Sequence, residues 1–487
     1  ILLDLPGDFD SLTPEQKLEQ QRVGRILGGG VVTEDSSLRL IANRDDHIRT
    51  AAIANRINVR FPMDVADKFP AANALDGSVI ELNILKRYTD NPQRQLDLIN
   101  HLYLQSGPRF NNPQARRLAK ALAEPSNFRY VGNISLAWEG MGKTVLPILQ
   151  ELYDHPNTIV RLAALQAGAR LGHPRTAKYL SEIARGRHDP SLRKLLTERI
   201  AYMQQTVERR NTRLRRLGGA TTRSVSRMSD EEKTRFISDQ ISAMRQTATT
   251  LLGELLANRP DHFQARRMLR LLLNHTHTPI RLSAFRALAQ LEDRTIGGFW
   301  FKDKLELAYV NLEMAVGNSQ EPIVPMIWAA QTGTPRLIVF GHKLEVQRPI
   351  LFDMWDDKLI IKAEAGDPKL SIYYRLPGAR RALKEKIEPT AVHLIGKMAF
   401  NTNEKGSEVG LNFSYSQILQ VLKRLTDRRD GAYVAAPLVV EKSDLAEGLR
   451  YRIRRFDRTD EFRPGFRTGS GQERTPELSN SNDTATR

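Results

Sequence analysis

TIVRLAALQAGARL, residues 158–171, returns as TPIRLSAFRALAQL at residues 278–291, aligned without a gap. Seven of the fourteen positions are identical: Thr158/Thr278, Arg161/Arg281, Leu162/Leu282, Ala164/Ala284, Ala167/Ala287, Ala169/Ala289 and Leu171/Leu291. The first copy follows the turn Pro156-Asn157, and the second opens on the proline-bearing Thr278-Pro279. Alanines at this spacing let helices approach closely, and the leucines fill the gaps between them. Such helices stack in pairs, because one pair alone cannot bury its apolar face. Two further helices fit the same scaffold upstream. One starts at Asn112-Pro113, with Ala115, Leu118, Ala119 and Leu122 on a face, and the other carries Val145, Leu146, Ile148, Leu149 and Leu152.

The repeated stretch resembles the second-helix signature of HEAT-type repeats, which implies a helical scaffold over residues 109–292. Upstream, residues 22–108 read as a small α+β module after a linker at 1–21. An apolar run, Val23–Leu27, enters the Gly28-Gly29-Gly30 turn, and a second run covers Ser37–Ala42. Asp45-Asp46 then suits a helix start, and HIRTAAIANRINVRF places Ile48, Ala51, Ala52, Ile57 and Phe61 at helical spacing. Asp76-Gly77 turns into the alternating strand Ser78–Ile84. Asn91 caps a helix with Pro92 at its first position, and Leu96, Ile99, Leu102 and Tyr103 form the predicted inner face. Downstream, residues 293–449 read as β-rich. Leu337–Phe340, Lys358–Lys362 and Leu370–Tyr374 are strand-like between turns at Asn318, Gly333, Gly341, Gly366-Asp367-Pro368 and Pro377-Gly378. One amphipathic helix there carries Ile418, Leu419, Val421, Leu422 and Leu425. The fold class is therefore α+β, with expected disorder from 450 to 487, where aliphatics are scarce.

The 487 residues fit about three domains of roughly 150 residues each. No apolar run reaches the ~18 residues of a membrane span. Ile1 stands where no methionine or charged-then-apolar leader is seen, so a processed or trimmed product is expected. With no cysteine, disulfides, thiolate zinc sites and cysteine nucleophiles are out. The net charge of +17 calls for an acidic neighbour, whether nucleic acid, anionic lipid, cell-wall polymer or protein.

The charge is densest between the two repeat copies, in the segment 205–228. Arg209, Arg210, Arg213, Arg215, Arg216, Arg223 and Arg227 face Glu208 as their one acid there. The segment passes Gly218-Gly219 and ends at Ser229-Asp230-Glu231-Glu232, a capping-box start for a helix. The first five arginines are the candidate interaction residues. They could track phosphates, but no aromatic residues interleave with them to stack bases, so nucleic acid is disfavoured.

Chemistry-bearing motifs are weak. Ala137–Thr144, AWEGMGKT, matches a relaxed phosphate-loop spacing, in which Lys143 would reach the terminal phosphates and Thr144 would hold Mg²⁺. Val131–Leu136 is a poor strand, however, and an inter-helix turn is the simpler reading. His275 and His277 lack a third ligand nearby, which favours two loop histidines over a metal pair. Asp353, Asp356 and Asp357 surround Trp355 in what reads as a polar loop with a buried indole. No Gly-x-Ser-x-Gly elbow occurs. The expectation is a protein without catalytic residues, cofactor or metal.

The series GRILGGGVV…LRLI…DHIRTAAIANRINVRF…LDGSVIELNI…YTDNPQRQLDLINHL, within residues 22–104, resembles the flagellar basal-body P-ring protein family. The helix Ile48–Phe61 is its most specific part. The HEAT-like and β-rich continuation, with its Leu-Ile-Val-Phe-Gly at 337–341, is similar to enlarged planctomycete-type members. The family's N-terminal β-rich part has no counterpart here. The resemblance implies a periplasmic, non-enzymatic ring component around the flagellar rod. Its expected partners are copies of itself, rod or envelope proteins, and peptidoglycan. The rival expectation is a cytoplasmic HEAT-type scaffold that binds nucleic acid or an acidic protein through the arginine segment.

Overall fold

The computed structural model describes residues 38–89, 91–124, 130–216, 229–301, 305–317, 321–331, 334–375, 382–399, 410–427 and 432–441. It also describes Asn127 and two paired dipeptide strands, Leu2–Leu3 and Gly24–Arg25. Apart from Leu2–Leu3, the expected linker 1–21 lies outside the described residues, as do the Gly28–Gly30 turn, Gly218-Gly219, Arg223, Arg227, Asn318, Gly333, Pro377-Gly378 and the tail 450–487. Residues Ile1–Val440 form one compact unit, and Glu441–Arg487 form another that is described only at Glu441. The mixed α+β class holds, with a small module, stacked helices and two sheets in chain order.

The module pairs β1 (Leu38–Ile41), β3 (Val79–Leu82) and β2 (Ala72–Ala74) into an antiparallel sheet with β3 central. Helix α1 (His47–Arg60) starts at Asp46, whose side chain accepts the Arg49 N–H at 3.0 Å. Helix α2 (Pro92–Ile99) starts at Asn91 in the same way. Two predicted faces need correction. On α1 the buried positions are Thr50, Ala54 and Ile57, continued by Phe61, while Ile48, Ala51 and Ala52 point outward. Both sides of this helix are apolar, so hydrophobicity alone did not separate them. On α2 the inner face is Gln95, Leu98 and Ile99, and Gln95 is buried because its amide bonds the backbone at Leu85 and Asn83.

Helices α3 (Pro108–Ala123), α4 (Val131–Met141), α5 (Leu146–Leu152), α6 (Thr158–Arg170) and α7 (Thr176–Ala184) follow. Helix α3 starts at Pro108, earlier than the predicted Asn112-Pro113. Pro113 sits inside it at the sixth position, where its missing N–H removes the ladder bond to the Arg109 carbonyl. Next come the long helices α8 (Asp189–Arg216) and α9 (Asp230–Asn258), then α10 (Phe263–Leu272) and α11 (Thr278–Gln290). The Ser229–Glu232 capping box is formed in full.

Helices α6 and α11 are the two repeat copies, and the likeness reaches past them. His155 Nδ1 accepts the Asn157 N–H at 3.1 Å, and His275 Nδ1 accepts the His277 N–H at 2.9 Å. At the other end, His173 N–H bonds Gly168 O at 2.8 Å, and Asp293 N–H bonds Leu288 O at 3.0 Å. These are matching Schellman closures, with Gly172 at φ +75 and Glu292 at φ +48. Close approach is real as well. A Cβ on Gly253 of α9 would lie 2.5 Å from the Ala287 Cβ of α11.

A five-stranded sheet follows: β4 (Ile296–Phe301), β5 (Leu305–Val310), β6 (Met326–Ala329), β7 (Arg336–Phe340) and, from the end of the unit, β12 (Leu438–Val440). Its order is β12-β6-β7-β5-β4, with β5–β7 and β6–β12 parallel. Between β5 and β6 lies the short helix α12 (Leu312–Val316). Ile338 and Phe340 join the helical core, whereas Leu337 and Val339 join the C-terminal core. That two-sided burial explains the unbroken Leu-Ile-Val-Phe run. The second core is closed by the antiparallel meander β8 (Ile350–Met354), β9 (Leu359–Ala363), β10 (Leu370–Tyr374) and β11 (Leu383–Ile387). Helices α13 (Ala391–Ala399) and α14 (Tyr415–Thr426) cover it, with Ile418, Val421, Leu422 and Leu425 buried.

Candidate functional site

The module is fastened to the helical stack by arginines. The carbonyls at the end of α4 have capacity to spare, Glu139 O accepting only the Gly142 N–H from its own helix, and α1 adds side-chain donors to them. Arg60 bonds Glu139 O through Nε at 3.3 Å and through a terminal nitrogen at 3.2 Å, and Arg56 bonds Gly140 O at 3.3 Å and Tyr103 O at 2.8 Å. The buried Glu139 carboxylate pairs with Arg94 of α2, and Arg60 and Arg170 each stand 3.9 Å away. Arg170 in turn holds Glu254 of α9 at 2.8 Å. Burial pushes Arg94 down to about 10, and the Arg170 charge adds to that. Burial also lowers Arg56 and Arg60. This network ties five helices together.

Anchored this way, the module turns an apolar stripe outward. Ile48, Ala52 and Val59 follow i, i+4 and i+11 along the solvent side of α1, with Ile48 85% and Val59 65% exposed. Met63, Val65 and Phe69 are exposed just beyond the helix. Apolar exposure is thus concentrated in one short stretch of the module.

Residues 205–216 of the basic segment form the end of α8, which packs against α9 near its start. Arg245 of α9 pairs with Asp189 at the start of α8, and Leu192, Leu196 and Ile200 pack with Ile237 and Ile241. The candidate residues Arg209, Arg210, Arg213, Arg215 and Arg216 fall on the last two turns of α8, and their side chains lie outside the described residues. A second basic feature was not anticipated. Helices α7 and α10 flank an open groove of about 510 Å³ bordered by Lys178, Arg185, Arg187 and Arg267, with Phe263 and Met268 supplying apolar surface. Among the described residues these four cations have no carboxylate within 4.0 Å, while Glu182 faces His188 at 3.2 Å. They come from α7, the turn that follows it and α10, so no charge run announced them.

The remaining motifs resolve into structure. AWEGMGKT is the end of α4 followed by a single 3₁₀ turn, Gly142–Val145, with no strand before it. The Thr144 hydroxyl donates to Met141 O at 3.2 Å and accepts from Asn111 at 2.8 Å. His275 and His277 shape the turn before α11, and His277 Nε2 lies 3.2 Å from the Ser242 hydroxyl. Trp355, Asp356 and Asp357 make the β8–β9 hairpin turn at positive φ, and the half-buried indole packs edge-on to Phe413. Among the described residues no three His, Asp or Glu side chains are grouped as metal ligands. No described helix is long and apolar enough to cross a membrane.

No family model, no curated protein and no solved structure matches this chain. The site is therefore read from its geometry.

Proposed function

We propose that this chain is a non-enzymatic structural component of the bacterial flagellar basal body, a P-ring-like subunit in the periplasm that assembles with copies of itself. The observation that most supports the reading is the outward apolar stripe Ile48–Ala52–Val59, borne on a module clamped to a helical scaffold. Water-exposed aliphatics on an anchored helix favour burial against a partner, and the clamp passes any load from that contact into the stack. In a ring the partner is a second copy. The basic end of α8 suits acidic cell-wall or rod surfaces, with Arg209, Arg210, Arg213, Arg215 and Arg216 as contact residues.

Sedimentation velocity over a concentration series tests assembly. The wild type is expected to form larger species that Ile48→Asp combined with Val59→Asp removes. A wild type that stays monomeric at every concentration refutes self-assembly. Co-sedimentation with purified peptidoglycan, lost on charge reversal of the five arginines, tests the envelope contact.

The α7–α10 groove favours a second reading, a HEAT-type scaffold for an acidic protein. Salt separates it from nucleic-acid binding. Each neutralised phosphate steepens the fall of affinity with salt, so a flat filter-binding slope dismisses nucleic acid.

A further inference from the structure

The helical stack contains a second cavity, half-enclosed and about 150 Å³ in volume, between α4, α6, α7, α8 and α9. Its walls are aliphatic, including Ile159, Leu162, Leu180 and Leu251. One rim is polar and carries Arg199, Gln166 and Thr247. Neither Arg199 nor Gln166 has a hydrogen-bond or ion-pair partner among the described residues. Thr247 already donates its hydroxyl proton to Ala243 O at 2.8 Å, so it can only accept further bonds.

The rim therefore offers a cationic donor with only neutral oxygens, those of Thr247 and Gln166, to meet it. Arg199 presents guanidinium N–H groups, and Gln166 presents its amide. Burial alone lowers the Arg199 pKa, which shows a cation partly stripped of water with no counter-charge supplied in exchange. An anionic oxygen at the rim would meet both donors, and charge-assisted bonds of this kind are the strong ones. The size of the cavity sets the rest of the ligand. A cavity of about 150 Å³ lined by aliphatic side chains accommodates a benzene-sized body.

We propose that this cavity binds a small monocarboxylate with a compact apolar body of about six carbons, its carboxylate held by Arg199 and Gln166 and its body against Leu162 and Leu251. The site lies inside the scaffold and is independent of the self-assembly surface on α1. Its occupant would bridge α6 to the α8–α9 pair and stiffen the base from which the arginine-bearing turns project.

Calorimetric titration of the full chain with benzoate and with hexanoate tests the assignment. Benzyl alcohol serves as the uncharged body and acetate as the bodiless anion. Saturable binding of benzoate or hexanoate is expected, at least about tenfold tighter than either control, with Arg199→Gln weakening it about tenfold or more. Thermal denaturation should show a midpoint that climbs with benzoate concentration. Three results each overturn the proposal: no saturable heat with either acid, equal binding of benzyl alcohol, or unchanged affinity in Arg199→Gln. The comparison of benzoate with benzyl alcohol uses the wild-type chain alone, so it decides the matter even if Arg199→Gln does not fold.

Discussion

Arg60 of the module's first helix closes the C-terminus of α4 by donating to the carbonyl of Glu139, and the carboxylate of that same residue pairs with Arg94 of the module's second helix. Backbone and side chain of Glu139 are thus both claimed by the module. Glu139→Gln removes the charge that Arg60, Arg94 and Arg170 share and leaves three half-buried cations facing one another. Losing one partner of a buried ion pair costs about 3–5 kcal/mol. Glu254→Gln, at the more exposed end of the network, should cost about 1 kcal/mol or less. Urea unfolding of the two variants checks the order.

His275 should make stability depend on pH in the mildly acidic range. Burial, followed by the charges of Arg245, His277 and Arg281, pushes it from 6.5 down to about 4. The unfolded chain therefore takes up the proton first, and stability must fall as pH drops from about 6.5 to 4. Its Nδ1 also accepts the His277 N–H, a role the neutral ring fills. Replacing it as His275→Asn keeps a side-chain acceptor and removes the titration. The variant's melting temperature should change less over this window than that of the wild type, and parallel curves would contradict the assignment.

How much of this was legible in the residues depended on how local the signal was. The Asp46, Asn91 and Ser229 caps and the Leu337–Phe340 strand could all be read, because each depends on neighbours in sequence. The repeat was visible through seven identities, and its histidine turns and Schellman ends only confirm it in space. The outer stripe of α1 was misread because Ile48 and Ile57 are equally apolar, and only the placement of the sheet tells them apart. The Glu139 network, the α7–α10 groove and the Arg199 cavity were invisible. Each gathers single residues from helices tens of positions apart, with no periodicity to mark them.

Asp293 should govern a lower pH window. Burial raises its pKa, but hydrogen bonds from Arg270, Thr295 and Arg266 outweigh that and hold it at about 2, against 3.8 unperturbed. Its side chain is 0% exposed and takes 2.8 and 2.9 Å ion pairs from α10. A depressed carboxylate contributes stability that is present above its unfolded pKa and lost as pH falls through the folded value. The contribution is about 2 kcal/mol. Asp293→Asn should thus be less stable at neutral pH and lose less stability than the wild type between about pH 4 and 2, measured by urea midpoints across that range.

The two repeat copies predict opposite tolerances at one aligned position. Arg161 lies on a half-exposed flank of α6 and, among the described residues, its side chain bonds only the Thr158 hydroxyl of its own first turn, at 3.3 Å. Arg281, its counterpart in α11, is 1% exposed. Its Nε donates to Leu273 O at 2.6 Å, a terminal nitrogen donates to Val324 O, and the guanidinium lies 4.8 Å from the Phe340 ring centre. The difference follows from what comes next in the chain. Copy one is followed by another helix and copy two by the five-stranded sheet, whose approach leaves the Leu273 and Val324 carbonyls in need of a donor. Arg281→Ala strands both carbonyls and opens a void beside Phe340, at a cost of about 3 kcal/mol or more. Arg161→Ala should stay within about 0.5 kcal/mol of wild type, as surface substitutions do. Thermal unfolding of the two single variants provides the check, and equal destabilisation would mean that the buried bonds of Arg281 carry no more than a surface contact.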